Sequence, residues 1–306
     1  MASVKEAARK KEILSPGHRL CAGCGAPIVV RQVLSAVKTN VVCISATGCL
    51  EVSTSIYPYT AWECSWIHVA FENAGAVASG VETMYRALKK QGKINQDSKF
   101  IAFGGDGGTY DIGLQSLSGM LERGHQCLYV CYNNEAYMNT GIQRSSATPR
   151  GADTTTCPVG KACPEGKAQH KKDLTEICAA HGVYVAQASP AYWNDLVTKV
   201  DKALNCGGAS FMNIIAPCHR GWRFNPEDTI QLSKLAVQTC IWPLYEVENG
   251  KHKITYKPKE KISVLEWIKT QGRFKHLLKP ENASVIEAMQ KEVDTKWDKL
   301  QKLELL

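Results

Sequence analysis

A chain of 306 residues, 44% hydrophobic and 22% charged, is long enough for one large α/β core with an appendage. The first residues, MASVKEAARKKEILSPGH, are charged and lack an apolar h-region, and no run approaches the ~18 apolar residues of a membrane span, so a cytoplasmic protein is expected. Lysine and arginine (37) exceed aspartate and glutamate (29) by eight, but no aromatic residues interleave a basic patch, which argues against nucleic acid as a partner.

In chain order, apolar runs at 41–45, 99–103, 127–132, 184–187 and 211–215 read as strands. Helical patterns at 27–38, 73–90, 112–123, 173–181 and 191–204 alternate with them. That alternation predicts an α/β fold with a doubly wound, mostly parallel sheet and helices on both faces. Residues 140–172, rich in Thr, Gly, Pro and Lys, form a connection far longer than the usual ~4–6 residues, a length associated with functional or disordered loops. The alternation stops near 233. A polar strand-like segment follows at 245–256 and a helical pattern at 283–303, so the chain divides into a 1–232 cofactor-binding domain and a 233–306 extension expected to pack on a neighbouring subunit.

Gly104-Gly105-Asp106-Gly107-Gly108 follows directly on the strand at 99–103. Glycines there, Gly105 and Gly107 in particular, let the backbone approach a ligand and offer N–H groups to phosphate. Asn133-Asn134-Glu135 follows the next strand, so both turns lie side by side at the carboxyl edge of one βαβ unit. Asp106, Asn134 and the backbone carbonyl of Ala136 supply three hard oxygen ligands suited to Mg²⁺ bridging a diphosphate. Gly-Asp-Gly with an Asn 28 residues after the Asp resembles the thiamine diphosphate fingerprint. The plain alternative is a tight turn with a capping aspartate.

Thirteen cysteines, an odd number, argue against a disulfide framework and for reduced thiols, some of them binding metal. Cys21 and Cys24 form a C-x-x-C pair. Cys49 follows the strand at 41–45 and Cys218 follows the strand at 211–215, so all four can converge at the edge that carries the diphosphate turns. Four thiolates suit structural zinc or an iron-sulfur cluster, and their spacing does not choose between them. A thiamine cofactor beside them favours a redox cluster, which gives electrons somewhere to go; a non-redox thiamine lyase with structural zinc is the alternative.

With these residues in place, the chain resembles the β subunits of the 2-oxoacid:ferredoxin oxidoreductases, nearest in pattern to the pyruvate branch (pyruvate:ferredoxin oxidoreductase, or pyruvate synthase). The resemblance rests on Gly17-His18-Arg19-Leu20-Cys21, Ala46-Thr47-Gly48-Cys49-Leu50-Glu51-Val52, His68-Val69-Ala70-Phe71-Glu72-Asn73, Gly104 through Asp111, and Trp242-Pro243-Leu244-Tyr245. It implies a 4Fe-4S cluster on Cys21, Cys24, Cys49 and Cys218, and Mg²⁺ on Asp106, Asn134 and Ala136. It places Thr47 and Gly48 against thiamine diphosphate, and Asn139 toward the reacting centre. The implied activity is CoA-dependent oxidative decarboxylation of a 2-oxoacid, or its reverse, within a complex of pyrimidine-binding α, γ and ferredoxin-like δ subunits that passes electrons to ferredoxin. 2-Oxoisovalerate, 2-oxoglutarate and oxalate are the other substrates that such a family takes. The glutamate that activates thiamine is expected on a partner chain. Where many relatives carry an acidic residue after the C-x-x-C-Gly, this sequence has Ala26.

Cys157 and Cys163, in the long loop, match no cluster ligand of that family and read as free thiols, a redox pair or a second metal site. Cys43, Cys127, Cys131, Cys178, Cys206 and Cys240 read as core. His68 and Glu72 have the spacing of a catalytic pair on one helix face, with a helix-start hydrogen bond as the equal alternative. Arg144 and Arg150 could meet a CoA phosphate or a substrate carboxylate, or lie in a solvated loop. His219 is read as flanking the metal site rather than binding it.

Overall fold

The structure is a computed structural model in which residues 11–56 and 58–305 are described. The five expected strands are present: β1 (Asn40–Ala46), β3 (Ser98–Gly105), β4 (Cys127–Asn133), β5 (Tyr184–Ala188) and β6 (Ser210–Ile215). Three more join them. β2 (Ser65–Val69), β7 (Leu244–Glu248) and β8 (Lys251–Tyr256) complete an eight-stranded sheet ordered β2-β1-β3-β4-β6-β5-β7-β8. The first six strands run parallel, and β7 returns antiparallel against β5.

Strands buried on both faces need no polar alternation, which is why β4, CLYVCYN, is buried along its whole length. Its side chains still alternate between two separate cores. Tyr129 and Cys131 join Ala78, Met120, Trp222 and Trp267 on one face. Leu128 and Val130 join Val29, Val33, Leu196 and Val200 on the other. β2 escapes an apolar-run search because it is an edge strand with three of five residues exposed, SWIHV.

The helices Gly25–Ser35, Ala74–Lys90, Leu114–Glu122, Leu174–Ala179 and Trp193–Asn205 answer the five expected helical patterns. The one expected at 112–123 starts late. Gly107–Ile112 forms a π turn first, an irregularity that recurs at functional sites. The boundary placed at 232/233 falls inside the helix Thr229–Gln238. Beyond it, β7 and β8 form a hairpin whose Asn249 and Gly250 both have positive φ (53° and 76°), the requirement of a type I′ turn. The final helix, Ala283–Glu304, buries Val285, Met289, Val293, Trp297 and Leu300 at helical spacing, with Trp242, Trp267 and Phe274 in the same core. Among the described residues, no helix is long and apolar enough to cross a membrane.

Candidate functional site

Four adjacent strands, β1, β3, β4 and β6, end at one edge of the sheet and release Thr47, Asp106, Asn134 and Ala216 into neighbouring loops. This is the carboxyl edge at which open α/β sheets bind ligands. Thr47, Gly48, Cys49, Gly105, Asp106, Gly107, Asn134, Ala136 and Asn139 line a single cavity there, together with Phe71, Tyr137 and Met138. Asn139 is exposed at its mouth.

Asp106 is fully buried, and burial pushes its carboxyl up to about 7. Its Oδ1 accepts the backbone N–H of Asn134 at 3.2 Å, and its Oδ2 accepts the Ser145 hydroxyl at 2.5 Å. One end of the Asn134 side-chain amide lies 2.8 Å from both Asp106 Oδ1 and the Ala136 carbonyl oxygen. With nitrogen at that end, the amide bridges two acceptors; with oxygen there, three oxygens face one another, an arrangement that a cation would stabilise. The donor set is therefore all oxygen, compact and reversible by one amide turn, and it fits Mg²⁺. The glycines beside it are closely packed: a Cβ on Gly107 would meet the Tyr137 ring at 2.5 Å.

Glu135, next in the turn, has φ 67° and is buried between two cations. Lys171 Nζ lies 2.7 Å from its Oε1, and Arg273 donates to its Oε2 at 2.6 Å. Burial raises the Glu135 carboxyl, but the two cations outweigh it and hold the group below its usual range. Arg273 also lies over the Trp222 ring at 3.9 Å. Trp222 donates its indole N–H to the Asn134 carbonyl at 2.7 Å. None of Ser145, Lys171, Trp222 or Arg273 carries a sequence signal, because each acts through a distant partner.

Residues 140–172 pack against the turns that carry Asp106, Asp111 and Glu135. Ser146 donates its backbone N–H to Asp111 at 3.0 Å, and its hydroxyl to the same carboxylate. Thr148 donates to the Glu135 carbonyl at 2.6 Å, and Lys167 and Lys172 reach the Thr148 and Tyr110 carbonyls. Arg144 and Arg150 do not line the Asp106 cavity, and the Nε of each is buried without a partner.

The four cysteines come near enough for their charges to act on one another. Cys49 opens the helix Cys49–Thr54, Cys24 caps Gly25–Ser35, and Cys218 caps His219–Trp222, where its Sγ accepts the Gly221 N–H at 3.4 Å. Three sulfurs thus sit at helix starts, where backbone N–H groups favour thiolate. The C-x-x-C turn is stitched to the Cys218 loop: Gly25 N–H donates to the Pro217 carbonyl at 3.0 Å, and a Cβ on Gly25 would lie 2.7 Å from Ala216. Burial first, then the charges of the neighbouring thiols, push Cys24 and Cys49 up to about 12. Cys24, Cys49 and Cys218, each raised by burial and then by the charge of neighbouring thiols, need a cation to ionise together, so the set fits a sulfur-ligated metal centre. Among the described residues, no three His, Cys, Asp or Glu side chains are already closed to the spacing of a single metal ion. His219 points its ring edge toward Phe224, and its Nδ1 is buried without a partner.

Two expectations fail. His68 and Glu72 share no helix: His68 lies on β2, with Nδ1 2.8 Å from Glu51 of the Cys49 helix, and Glu72 lies in the following turn. Cys206 is exposed at the end of a helix rather than in the core, whereas Cys43, Cys127, Cys131, Cys178 and Cys240 are buried.

Residues 46–214 match the family model of the thiamine pyrophosphate enzymes, C-terminal TPP-binding domain, and the chain belongs to that class. It is 57% identical over 303 residues to the pyruvate synthase subunit PorB of Thermotoga maritima, covering 96% of this chain and 93% of that one. It is 53% identical over 279 residues to PorB of Methanothermobacter marburgensis, covering 91% and 95%. The ketoisovalerate oxidoreductase subunit VorB of Pyrococcus abyssi matches at 46% over 290 residues, covering 94% and 92%. In fold, the chain resembles a 2-oxoglutarate:ferredoxin oxidoreductase from Magnetococcus marinus (TM-score 0.55, 20% identity, 73% of this chain and 79% of that one). Within the thiamine enzymes, the chain belongs to the PorB family of 2-oxoacid:ferredoxin oxidoreductase β subunits.

Proposed function

We propose that this chain is the thiamine- and cluster-bearing subunit of a pyruvate:ferredoxin oxidoreductase, catalysing CoA-dependent oxidative decarboxylation of pyruvate or the reverse synthesis. The observation that carries the reading is the position of Cys49: it lines the Asp106–Asn134 cavity and belongs to the group of four cysteines, so one short helix start joins an oxygen site to a sulfur site. When bound, thiamine diphosphate supplies the electron sink for decarboxylation, and a 4Fe-4S cluster on Cys21, Cys24, Cys49 and Cys218 carries electrons one at a time.

The chain's own residues orient and enclose. Asp106, Asn134 and the Ala136 carbonyl would hold Mg²⁺, and Ser145 aligns the Asp106 carboxylate through its 2.5 Å hydrogen bond. Gly105 and Gly107 would let the diphosphate approach the backbone, while Thr47 and Gly48 would line the cofactor. Thr47 is fixed by its own Oγ, which donates to the Val69 carbonyl at 3.0 Å. Asn139, at the open mouth, is placed to donate a hydrogen bond to substrate, and the mouth is where α, γ and ferredoxin-like δ subunits would complete the pocket. The VorB relative supports a second substrate, the branched 2-oxoisovalerate, on the same machinery.

The test is anaerobic co-expression with the partner subunits, followed by iron, sulfide and zinc analysis and low-temperature electron paramagnetic resonance. About four irons at this site, with a radical signal on adding pyruvate and CoA-dependent reduction of ferredoxin, is the expected result. Zinc in place of iron, with no radical from pyruvate or 2-oxoisovalerate, overturns the reading.

A further inference from the structure

Cys157 and Cys163 lie outside the four-cysteine group, in the long loop beside the Asp106 cavity. Each sits in its own tight turn. Thr154 and Cys157 exchange backbone hydrogen bonds (3.2 and 3.4 Å), and so do Gly160 and Cys163 (3.1 and 3.2 Å). The two turns bring the sulfurs to 4.0 Å, with the Cys163 thiol donating to the Gly166 carbonyl at 2.8 Å. Both cysteines are half-buried, and Pro158, Lys161, Ala162 and Pro164 around them are exposed, so a small reagent can reach either sulfur.

The pair is tied to the site from both ends. Ahead of Cys157, Thr155 N–H donates to the Ile142 carbonyl at 3.0 Å, Thr155 Oγ to the Gly141 carbonyl at 2.9 Å, and Arg144 N–H to Thr156 Oγ at 2.9 Å. Beyond Cys163, Lys167 N–H donates to the Ala152 carbonyl at 3.1 Å, and Gly151 N–H to the Lys167 carbonyl at 2.8 Å. One end therefore hangs on the turn that presents Asn139, and the other on Gly151 and Ala152, with the Lys167 side chain reaching back to the Thr148 carbonyl.

We propose that Cys157 and Cys163 are a redox-active dithiol site, oxidised by small-molecule disulfides to an intramolecular bridge that fastens the loop beside the Asp106 cavity. The chemistry is thiol–disulfide exchange. One cysteine, its proton released to solvent, attacks the S–S bond of the reagent, forming a mixed disulfide and expelling one thiolate. The second cysteine, also deprotonated, attacks the protein sulfur of that mixed disulfide and expels the other thiolate. Two protein thiols and one disulfide give one protein disulfide and two small thiols. Closing 4.0 Å to the ~2.05 Å of a bond is within reach of side-chain rotation, because the paired turns already aim the sulfurs at each other.

The test is made on the anaerobically purified complex, equilibrated with mixtures of oxidised and reduced glutathione, quenched in acid, alkylated and cut with trypsin. Lys161 lies between the cysteines, so after cleavage only the bridge holds the two fragments together. The expected result is joint loss of both alkylation sites, fragments that separate on reduction, and a glutathione adduct trapped on Cys157 in Cys163→Ser. Slower hydrogen exchange over residues 141–156 in the oxidised form is expected as well. Independent alkylation of both cysteines, or a separate glutathione on each in the wild type, overturns the proposal; unchanged exchange overturns its fastening role. The Cys157→Ser/Cys163→Ser double variant should keep its full iron content whatever the substrate of the complex proves to be. Loss of iron in that variant would make these residues cluster ligands and refute the dithiol reading.

Discussion

Glu135→Gln should cost the chain about 3–5 kcal/mol, the range for breaking a buried ion pair by removing one partner. The carboxylate is 3% exposed and neutralises Lys171 at 2.7 Å and Arg273 at 2.6 Å. The amide keeps the shape but strands both cations. Among the described residues Arg273 has no second ion pair; it keeps the Gln271 side-chain carbonyl at 2.9 Å and the faces of Trp222, Phe274 and Trp267 at 3.9, 4.9 and 5.3 Å, where cation–π contact offsets about 1–2 kcal/mol. The ion pair also holds a residue at φ 67°, a conformation that costs a non-glycine roughly 1–2 kcal/mol, so losing it frees the turn that presents Asn134. Urea unfolding of wild type, Glu135→Gln, Arg273→Met and the double variant forms a cycle. If stranded charge is the cause, the double variant is more stable than Glu135→Gln alone, and thiamine diphosphate binding falls in Glu135→Gln. A loss below about 1 kcal/mol, or additive single effects, would refute the argument.

Asp106→Asn should weaken Mg²⁺-supported thiamine diphosphate binding by at least about 100-fold in titration calorimetry, and Ser145→Ala by about 10–100-fold, because the latter only aligns the carboxylate. Gly25→Ala places a Cβ 2.7 Å from the Ala216 backbone and should displace the Cys218 loop, so iron content falls while the circular dichroism spectrum is kept. Lys167 is fully buried, and burial pulls its pKa down to about 8 from 10.5. Between those values the unfolded chain holds a proton that the native chain has released, so this group makes unfolding free energy rise with pH across that window, by up to about 3 kcal/mol. The wild-type minus Lys167→Met difference in urea-unfolding free energy should show that rise between pH 8 and 10.5, and a flat difference would refute it.

The sequence by itself determined the parallel core and the glycine–aspartate turn at the end of β3. Buried parallel strands such as FIAFGG and CLYVCYN are continuous apolar runs, and glycine–aspartate chemistry at a strand end is local, so both are legible without a partner. The Asn249-Gly250 turn was equally legible and would have split 245–256 into two strands. What only the tertiary structure decided depends on groups far apart in the chain. β2 borrows its place from β1, Arg273 meets Glu135 across 138 residues, and Thr229 reaches the Gly23 carbonyl across 206. His68 illustrates the limit: four-residue spacing suggested a helix with Glu72, but an edge strand turned it to Glu51 instead. Residue spacing carries information only within one element; which elements become neighbours is set by burying two faces of one sheet, and that is a property of the whole chain.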